Sequence, residues 1–262
     1  MPHLFGMKTL RVLLALALFA ALASPAQAVI LETSMTGAAS ATDASSYTTA
    51  SVSPSKNKLV IVGVLNTKGT TADTPTLSGN GLTWDQVQTN LFDSDLKRVT
   101  MFRALSTSTP TPGTITIDFG GATQTGCAWS VYEFSGIDRT GTNGANAIVQ
   151  NDTQDVTNGG SITATMAAFS STANGATSIC GNDQNGTMTE EAGWSEIHDV
   201  ATGTAPAFTF HSMWIATNDN TATHDWANNN DGGAIAVELK GGADPTEGNT
   251  IYKATLYGAT IQ

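Results

Sequence analysis

The sequence predicts an all-β protein, an antiparallel β-sandwich expected to be a jelly roll, which forms a single domain after a cleaved signal peptide. Short β-rich runs separated by Gly, Asn, Asp, Ser and Pro dominate the chain, and no run of about 12 residues keeps a helical period with caps. Asn-Gly dipeptides, which readily adopt the positive φ angles of hairpin turns, begin at Asn80, Asn143, Asn158, Asn174 and Asn185. Strands joined by turns, without helical crossovers, favour sheets packed face to face.

The amino-terminal segment 1–28 has the pattern of a secretory signal peptide. Lys8 and Arg11 precede an apolar run over 12–23, and the Ala-Gln-Ala sequence at 26–28 supplies small residues for cleavage. The run is shorter than the roughly 20 residues of a membrane span, although an uncleaved anchor is the alternative. We therefore expect a secreted protein, either extracellular or held at the cell surface.

The strongest strand prediction is Leu59 to Leu65, where both alternating faces are apolar. Such a strand should lie inside a sheet that is covered on both sides. Residues 114–119 alternate instead, with Ile115, Ile117 and Phe119 inward, which is typical of a half-buried strand. Further strands are predicted at 82–91, 97–105, 127–134, 145–150, 161–167, 176–181, 194–200, 207–216 and 233–240.

These runs define one β-sandwich domain over 29–240. The small, polar residues at 36–46 predict a loop before the first well-defined strand. The tail 241–262 begins as a linker and then offers Thr250 to Tyr257 as an extra edge strand. One hypothesis is self-association of the protein through this strand; a last edge strand of the same domain or a frayed end is the other.

Composition excludes several classes of function. Only 13% of the residues are charged and 40% are hydrophobic, which is the opposite of the disorder signature. The formal net charge is −11, with 11 Lys and Arg in total, so the basic footprint needed to bind nucleic acid is missing. No run after residue 28 is long and apolar enough to predict a membrane span.

Two cysteines, Cys127 and Cys180, lie in predicted strands. Export would expose them to oxidising conditions, which makes them a disulfide candidate. The rival interpretation is two separate buried thiols that pack as small apolar side chains.

Four strand-and-turn stretches stand out, at Ser53 to Val62, Leu77 to Trp84, Thr125 to Asp138 and Gly233 to Glu238. On these stretches the chain resembles a poorly characterised group of jelly-roll-like β-sandwich proteins found in secreted and phage-associated sequences. The resemblance implies a fold and no particular activity.

The sequence contains no recognisable catalytic constellation, so neither a catalytic nor a metal site is predicted. Jelly-roll glucanases carry Glu-x-Asp-x-x-Glu on one strand face. The nearest text here begins at Glu133 but has Ser135 at the second acidic position and Asp138, not Glu, at the third. We expect Glu133 to be a rim residue or a paired, partly buried acid. Glu196 and Asp199 could form an acid pair only if their strand bends.

Three scattered histidines, His198, His211 and His224, do not by themselves predict a metal site. On its alternating strand His211 is expected to be a satisfied, partly buried imidazole. No cofactor is predicted, and a structural calcium ion is the one alternative, because loop Asn and Asp oxygens suit it. The same residue types are ordinary in turns; they are Asn151, Asp152, Asp155, Asn182, Asp183, Asn218, Asp219, Asn229 and Asp231.

One corner has the composition of a carbohydrate-binding surface, because flat rings stack on sugars and amides bind their hydroxyl groups. The predicted ligand-binding residues are Trp226, Asn228, Asn229 and Asp231. The alternative is that Trp226 closes an edge of the sandwich.

These observations lead us to expect a secreted, non-catalytic binding or adhesion module that contacts carbohydrate or a cell surface. The alternative is a structural subunit of an extracellular appendage or a virion-like particle. A glycoside-active enzyme is the third hypothesis.

Overall fold

The strand predicted at 59–65 is the centre of the fold. In the computed structural model, which describes residues 30–242, β3 (Leu59–Thr67) is buried at every position. It pairs with β8 (Gly126–Ser135) on one side and β6 (Lys97–Leu105) on the other. With β1 (Leu31–Ser40) and β5 (Asp85–Phe92) at its edges, the order of this central sheet is β1-β8-β3-β6-β5.

Two further antiparallel sheets cover the central sheet. The cover sheet has three short strands in the order β2 (Ser46–Thr48), β7 (Ile115–Asp118), β4 (Thr76–Gly79). The C-terminal sheet is built from β9 (Ile148–Thr165), β10 (Gly175–Asn182), β11 (Met188–Glu190), β12 (Ser195–Ala201), β13 (Thr209–Ile215) and β14 (Thr221–Leu239). Its order is β12-β13-β10-β14-β9, with β11 beside the first part of β14.

The alternation of β3 produces three layers. Leu59, Ile61 and Leu65 share a core cluster with residues of the C-terminal sheet such as Phe210. Val60, Val62 and Val64 share a second cluster with residues of the cover sheet, among them Ile115 and Ile117. The predicted all-β antiparallel sandwich is thus confirmed. Each large sheet draws its strands from one half of the chain. The finer jelly-roll topology stays a prediction.

The pair β9 and β14 forms a long ribbon. β9 pairs with β14 over most of its length, including residues 221–225 and 232–237 of β14. Residues 232–239 of β14 also pair with β10 on their other side, and residues 224–226 pair with β11. Register shifts and left-handed backbone at Asn158 and Asn228 mark the point where the ribbon bends.

Beyond this bend the ribbon folds back over the outer face of its own sheet. His224 lies 2.8 Å from the Ser178 hydroxyl of β10, and Ala222 packs in one cluster with Ala176 and Ala236. The C-terminal sheet is therefore covered on both faces, which accounts for the burial of His224 and Trp226.

The predicted loop at 36–46 is wrong over its first part, because β1 continues to Ser40 and pairs with β8. The small residues there permit close approach: a Cβ added at Gly37 would stand 2.6 Å from the His198 ring. The strand predicted at 145–150 is wrong over 145–147, because Thr142–Ala147 form a 3₁₀ helix. Its remainder and most of the strand predicted at 161–167 belong to the single strand β9.

Two of the Asn-Gly pairs have the positive φ angles expected of them, although Asn143-Gly144 lies within a 3₁₀ segment and not in a hairpin. Asn80 and Asn143 both have positive φ, as do the glycines that follow them. The Asn80 side chain donates to the Thr111 and Gly113 carbonyls. Asn80 therefore adopts the backbone conformation of the turn and also holds the turn against residues 111–113. Asn158 is also left-handed, but it sits at the bend within β9 and not in a hairpin turn.

The predicted signal peptide 1–28 and the tail strand 250–257 lie outside the described residues. At the start of the predicted linker, Gly241 bridges to Ile137, and the Gly242 N–H donates to the Gly136 carbonyl. Over residues 30–242 we find no helix with the length and apolarity to cross a membrane.

Glu32 on β1 provides a test by pH. Its Oε1 is buried without a described hydrogen-bond partner, and burial raises the pKa of Glu32 from 4.5 to about 6. The native state therefore gains stability from protonation, in full below pH 4.5, and loses it as the pH rises through about 6. We expect Glu32→Gln to stabilise the protein by about 1 kcal/mol at pH 7, after allowance for solvent screening.

Thermal melts between pH 4.5 and 7.5 measure this effect. The gain of the variant over the parent should fade towards pH 4.5, and Thr33→Ala, at an exposed and non-ionisable residue of the same strand, should show no such trend. A gain that is the same at both ends of the range would contradict the assignment.

Candidate functional site

The predicted ligand-binding corner at Trp226 is largely closed. The indole is only 8% exposed, its Nε1–H donates to the Gly159 carbonyl at 2.9 Å, and its ring covers Gly232. Stacking on a sugar needs a free ring face. Trp226 thus closes the edge of the folded-back ribbon, which was the alternative interpretation.

The polar residues of that corner divide between two roles. Asn228 and Asn229 are exposed. The Asp231 carboxylate accepts the Asn158 N–H at 2.8 Å, while the Asp231 N–H donates to Asp183, so Asp231 fastens the bend. A small cleft of about 180 Å³ touches Trp226 and Asn228 but neither Asn229 nor Asp231.

Two larger clefts lie elsewhere, and both border the segments 105–107 and 137–143. The larger, of about 510 Å³, is lined by Asn57, Thr107, Ile137, Asp138, Arg139, Thr140 and Gly242. The second, of about 310 Å³, is lined by Gly81, Leu82, Thr83, Asp85, Leu105, Ser106, Thr142 and Asn143. Five of the seven residues that line the larger cleft and five of the eight that line the second carry hydroxyl, amide or charged side chains, which can bind a polar ligand.

Charges in the larger cleft are unevenly paired. Asp138 lies 2.8 Å from Lys240; burial alone would raise the pKa of Asp138, but hydrogen bonds from Lys240 and Thr140 lower it below its usual value. Arg139 is exposed and forms no ion pair with a described residue. The cleft therefore offers a guanidinium that has no ionic partner among residues 30–242.

Glu133 is a paired, buried acid, one of the two positions expected for it. Its side chain is 2% exposed, with Oε1 at 2.7 Å from Lys58 Nζ and Oε2 accepting the Ser55 N–H at 2.8 Å. Both oxygens are engaged, so Glu133 holds the start of β3 against β8.

Cys127 and Cys180 are both free and buried. Cys127 packs between the central and cover sheets, whereas Cys180 lies on the outer face of the C-terminal sheet with Trp226. The disulfide candidate is therefore not formed, and two separate thiols describe the structure. Burial raises the pKa of each thiol well above its ordinary value.

His198 belongs to a polar bridge at the edge of the sandwich. Its Nε2 is 2.9 Å from the Ser34 hydroxyl and its Nδ1 is 2.8 Å from that of Ser130, which in turn contacts Ser212. Burial lowers the pKa of His198. These contacts tie β1 and β8 to β12 and β13.

His211 and His224 form a second, deeper chain. Their Nδ1 atoms are 2.8 Å apart, His224 Nε2 is 2.8 Å from the Ser178 hydroxyl, and that hydroxyl donates to the Ile235 carbonyl at 3.0 Å. Both rings are fully buried. Burial lowers the pKa of His211 to about 4, and burial together with His211 lowers the pKa of His224 well below its usual value, so both rings are neutral at pH 7.

The other end of this chain meets two carboxylates. His211 Nε2 lies 3.6 Å from Glu196 Oε2, and the donor atoms of His211, Glu196 and Glu190 all lie within 4.8 Å of one another. Burial, and then the charge of Glu190, raise the pKa of Glu196. We call these three residues the Glu190–Glu196–His211 cluster.

A bulge in β12 aligns this cluster. The register shifts between Glu196 and His198, so that Glu196 pairs with Met213 and Asp199 with His211 on the same face. This is the bend that an acid pair of Glu196 and Asp199 required. Burial raises the pKa of Asp199 to about 6, although the Met188 N–H that it accepts opposes the rise.

Sequence reasoning predicted burial of His211 but missed its neighbours. His211 was expected to be satisfied, yet Nε2 has no hydrogen-bond partner within residues 30–242. Glu190 lies on a strand of three residues, and its place is set by pairing with His224. Their proximity could have been predicted only from the register between the strands, which the sequence pattern does not give.

Comparison with known proteins adds no relative to this description. No protein family matches the chain, and no curated protein or solved structure shows significant similarity to it.

Proposed function

We propose that the protein is a secreted, non-catalytic β-sandwich module that binds carbohydrate through the two clefts bordered by 105–107 and 137–143. The observation that carries the proposal is Arg139, an exposed cation without a described ionic partner in the larger cleft. In a chain with a net charge of −11, free positive charge is scarce. Its position beside a row of hydroxyl and amide groups favours a sugar that carries a carboxylate.

The chemistry of such a complex follows from the lining residues. A guanidinium binds a carboxylate through two parallel N–H donors, while Thr107, Thr140 and Asn57 can exchange hydrogen bonds with sugar hydroxyls. Asp138 is held by Lys240, which keeps its negative charge compensated. The lining thus combines a guanidinium for an anionic group with side chains that can bind neutral hydroxyls.

Binding to a glycan array that includes uronic and sialic acid sugars tests the proposal. We expect the parent to bind acidic glycans and Arg139→Ala to lose roughly tenfold or more in affinity, since a charge-assisted hydrogen bond contributes about 1.5–3 kcal/mol. Asn228→Ala, at the corner beside Trp226, is the matched control and should bind as the parent does. Loss of binding in Asn228→Ala alone would place the site at that corner instead.

The alternative, a structural subunit of an appendage or particle, makes a different prediction for size. Light scattering over a range of concentrations should show a monomer if the protein is a binding module, and growing ordered oligomers if it is a subunit. The glycoside-active enzyme, the third hypothesis, requires release of reducing sugar from the bound glycan, and we expect none.

A further inference from the structure

The direction of the protons in the His211–His224 chain can be read from its far end. The Ile235 carbonyl can only accept, so the Ser178 hydroxyl donates to it. Ser178 Oγ must then accept from His224 Nε2–H, which leaves His224 Nδ1 as an acceptor for His211 Nδ1–H. In a neutral His211 the remaining nitrogen, Nε2, therefore carries a lone pair.

The lone pair on His211 Nε2 lies beside two carboxylates, which are acceptors and cannot donate a hydrogen bond to it when ionised. His211 is fully buried, and its Nε2 lies without a hydrogen-bond donor among the described residues, 3.6 Å from Glu196 Oε2. The Glu190 carboxylate completes a group of three acceptors. Buried polar atoms are nearly always paired, and an imidazole lone pair beside two carboxylates repels them unless a cation lies between.

We propose that the Glu190–Glu196–His211 cluster binds a divalent transition-metal ion of the zinc type. One imidazole nitrogen and two carboxylate oxygens form a donor set that Zn²⁺ accepts, with bonds of about 2.0–2.2 Å. Ca²⁺ and Mg²⁺ prefer oxygen ligands throughout. The inference is independent of the proposed carbohydrate binding.

The geometry needs only a small adjustment to hold the ion. The donor atoms lie within 4.8 Å of one another, and the Glu196 side chain is 46% exposed, so it can rotate towards the nitrogen. His211 cannot move in the same way, because its Nδ1 is hydrogen-bonded to His224, which Ser178 holds in turn. Such outer hydrogen bonds orient a ligating imidazole and hold it in the required tautomer.

The three ligands come from three strands, β11, β12 and β13. The proposed ion would therefore join β11, which pairs with the folded-back half of β14, to the edge of the C-terminal sheet. It would hold the ribbon over the sheet face.

Titration of the purified, chelator-treated chain with ZnCl₂ tests the site, with CaCl₂ and MgCl₂ as comparison ions. We expect one Zn²⁺ site that Ca²⁺ and Mg²⁺ do not occupy, and a higher melting temperature with Zn²⁺. Glu190→Gln and Glu196→Gln should each weaken Zn²⁺ binding at least about tenfold. Asp155→Asn, an exposed acid on β9, is the matched control and should bind as the parent does.

The glutamate variants keep the test informative even if His211→Ala fails to fold. Absence of Zn²⁺ binding to the parent would overturn the proposal and would indicate the reverse proton order, with His211 Nε2–H directed at Glu196. Zn²⁺ binding that survives in the double variant Glu190→Gln/Glu196→Gln would overturn it as well.

Discussion

Phe210→Ala should lower the free energy of unfolding by about 3–5 kcal/mol, the range for a buried phenylalanine. Phe210 is fully buried on β13, and its ring reaches across to the central sheet at Gly63. A Cβ added at Gly63 would stand 2.8 Å from Phe210 Cζ and from Ile179 Cγ2. The absence of a side chain at Gly63 thus makes room for the Phe210 ring, and truncation of Phe210 leaves a cavity between the two sheets.

Urea unfolding monitored by tryptophan fluorescence measures the loss. Phe169→Ala is the matched control, because Phe169 is only partly buried beside a peripheral cluster, and it should cost less than half as much. Gly63→Ala should destabilise the parent but cost less in the Phe210→Ala background, since the two sites share one space. If Gly63→Ala lowered the free energy of unfolding equally in both backgrounds, the proposed packing of the Phe210 ring against Gly63 would be wrong.

Lys58→Met should destabilise the protein by about 3 kcal/mol, because it leaves the buried Glu133 carboxyl group without its cation. Glu133 is 2% exposed, whereas Lys58 keeps 28% exposure. Methionine preserves the apolar stem of lysine, so the change isolates the lost charge. The remaining Ser55 N–H cannot neutralise the carboxylate.

Chemical denaturation of three variants checks this expectation. Lys68→Met breaks the more exposed pair with Asp73 and should cost less than about 1 kcal/mol. Lys58→Met/Glu133→Leu should recover much of the loss, because it removes the unpaired charge. Similar losses for Lys58→Met and Lys68→Met would show that burial of Glu133 carries no penalty.

The central sheet was the most predictable part of the fold. An apolar residue at nearly every position of 59–65 leaves few alternatives to a strand covered on both faces, and β7 followed equally from its alternation. β1 escaped prediction because its contacts use small residues such as Gly37 and Ala39. Close approach of backbones leaves no hydrophobic signature in the sequence.

The candidate sites were less predictable for a different reason. Ala222, His224 and Trp226 do alternate with polar residues and are all buried, which is a strand signal within a segment first interpreted as an open corner. The proposed metal ligands depend on register: period-two alternation gives the face of His211 but not its neighbours. The clefts are built from loops that meet only in the folded chain.

The folded-back half of the ribbon packs outside the main core of the protein. Residues 221–226 are held by β9, β11 and contacts on the outer sheet face, and none of them belongs to the core between the two large sheets. An opening of this half of the ribbon would therefore leave the core around β3 in place. Such an opening would expose Cys180 and the His211–His224 pair together, so the reactivity of that thiol reports how often the ribbon lifts.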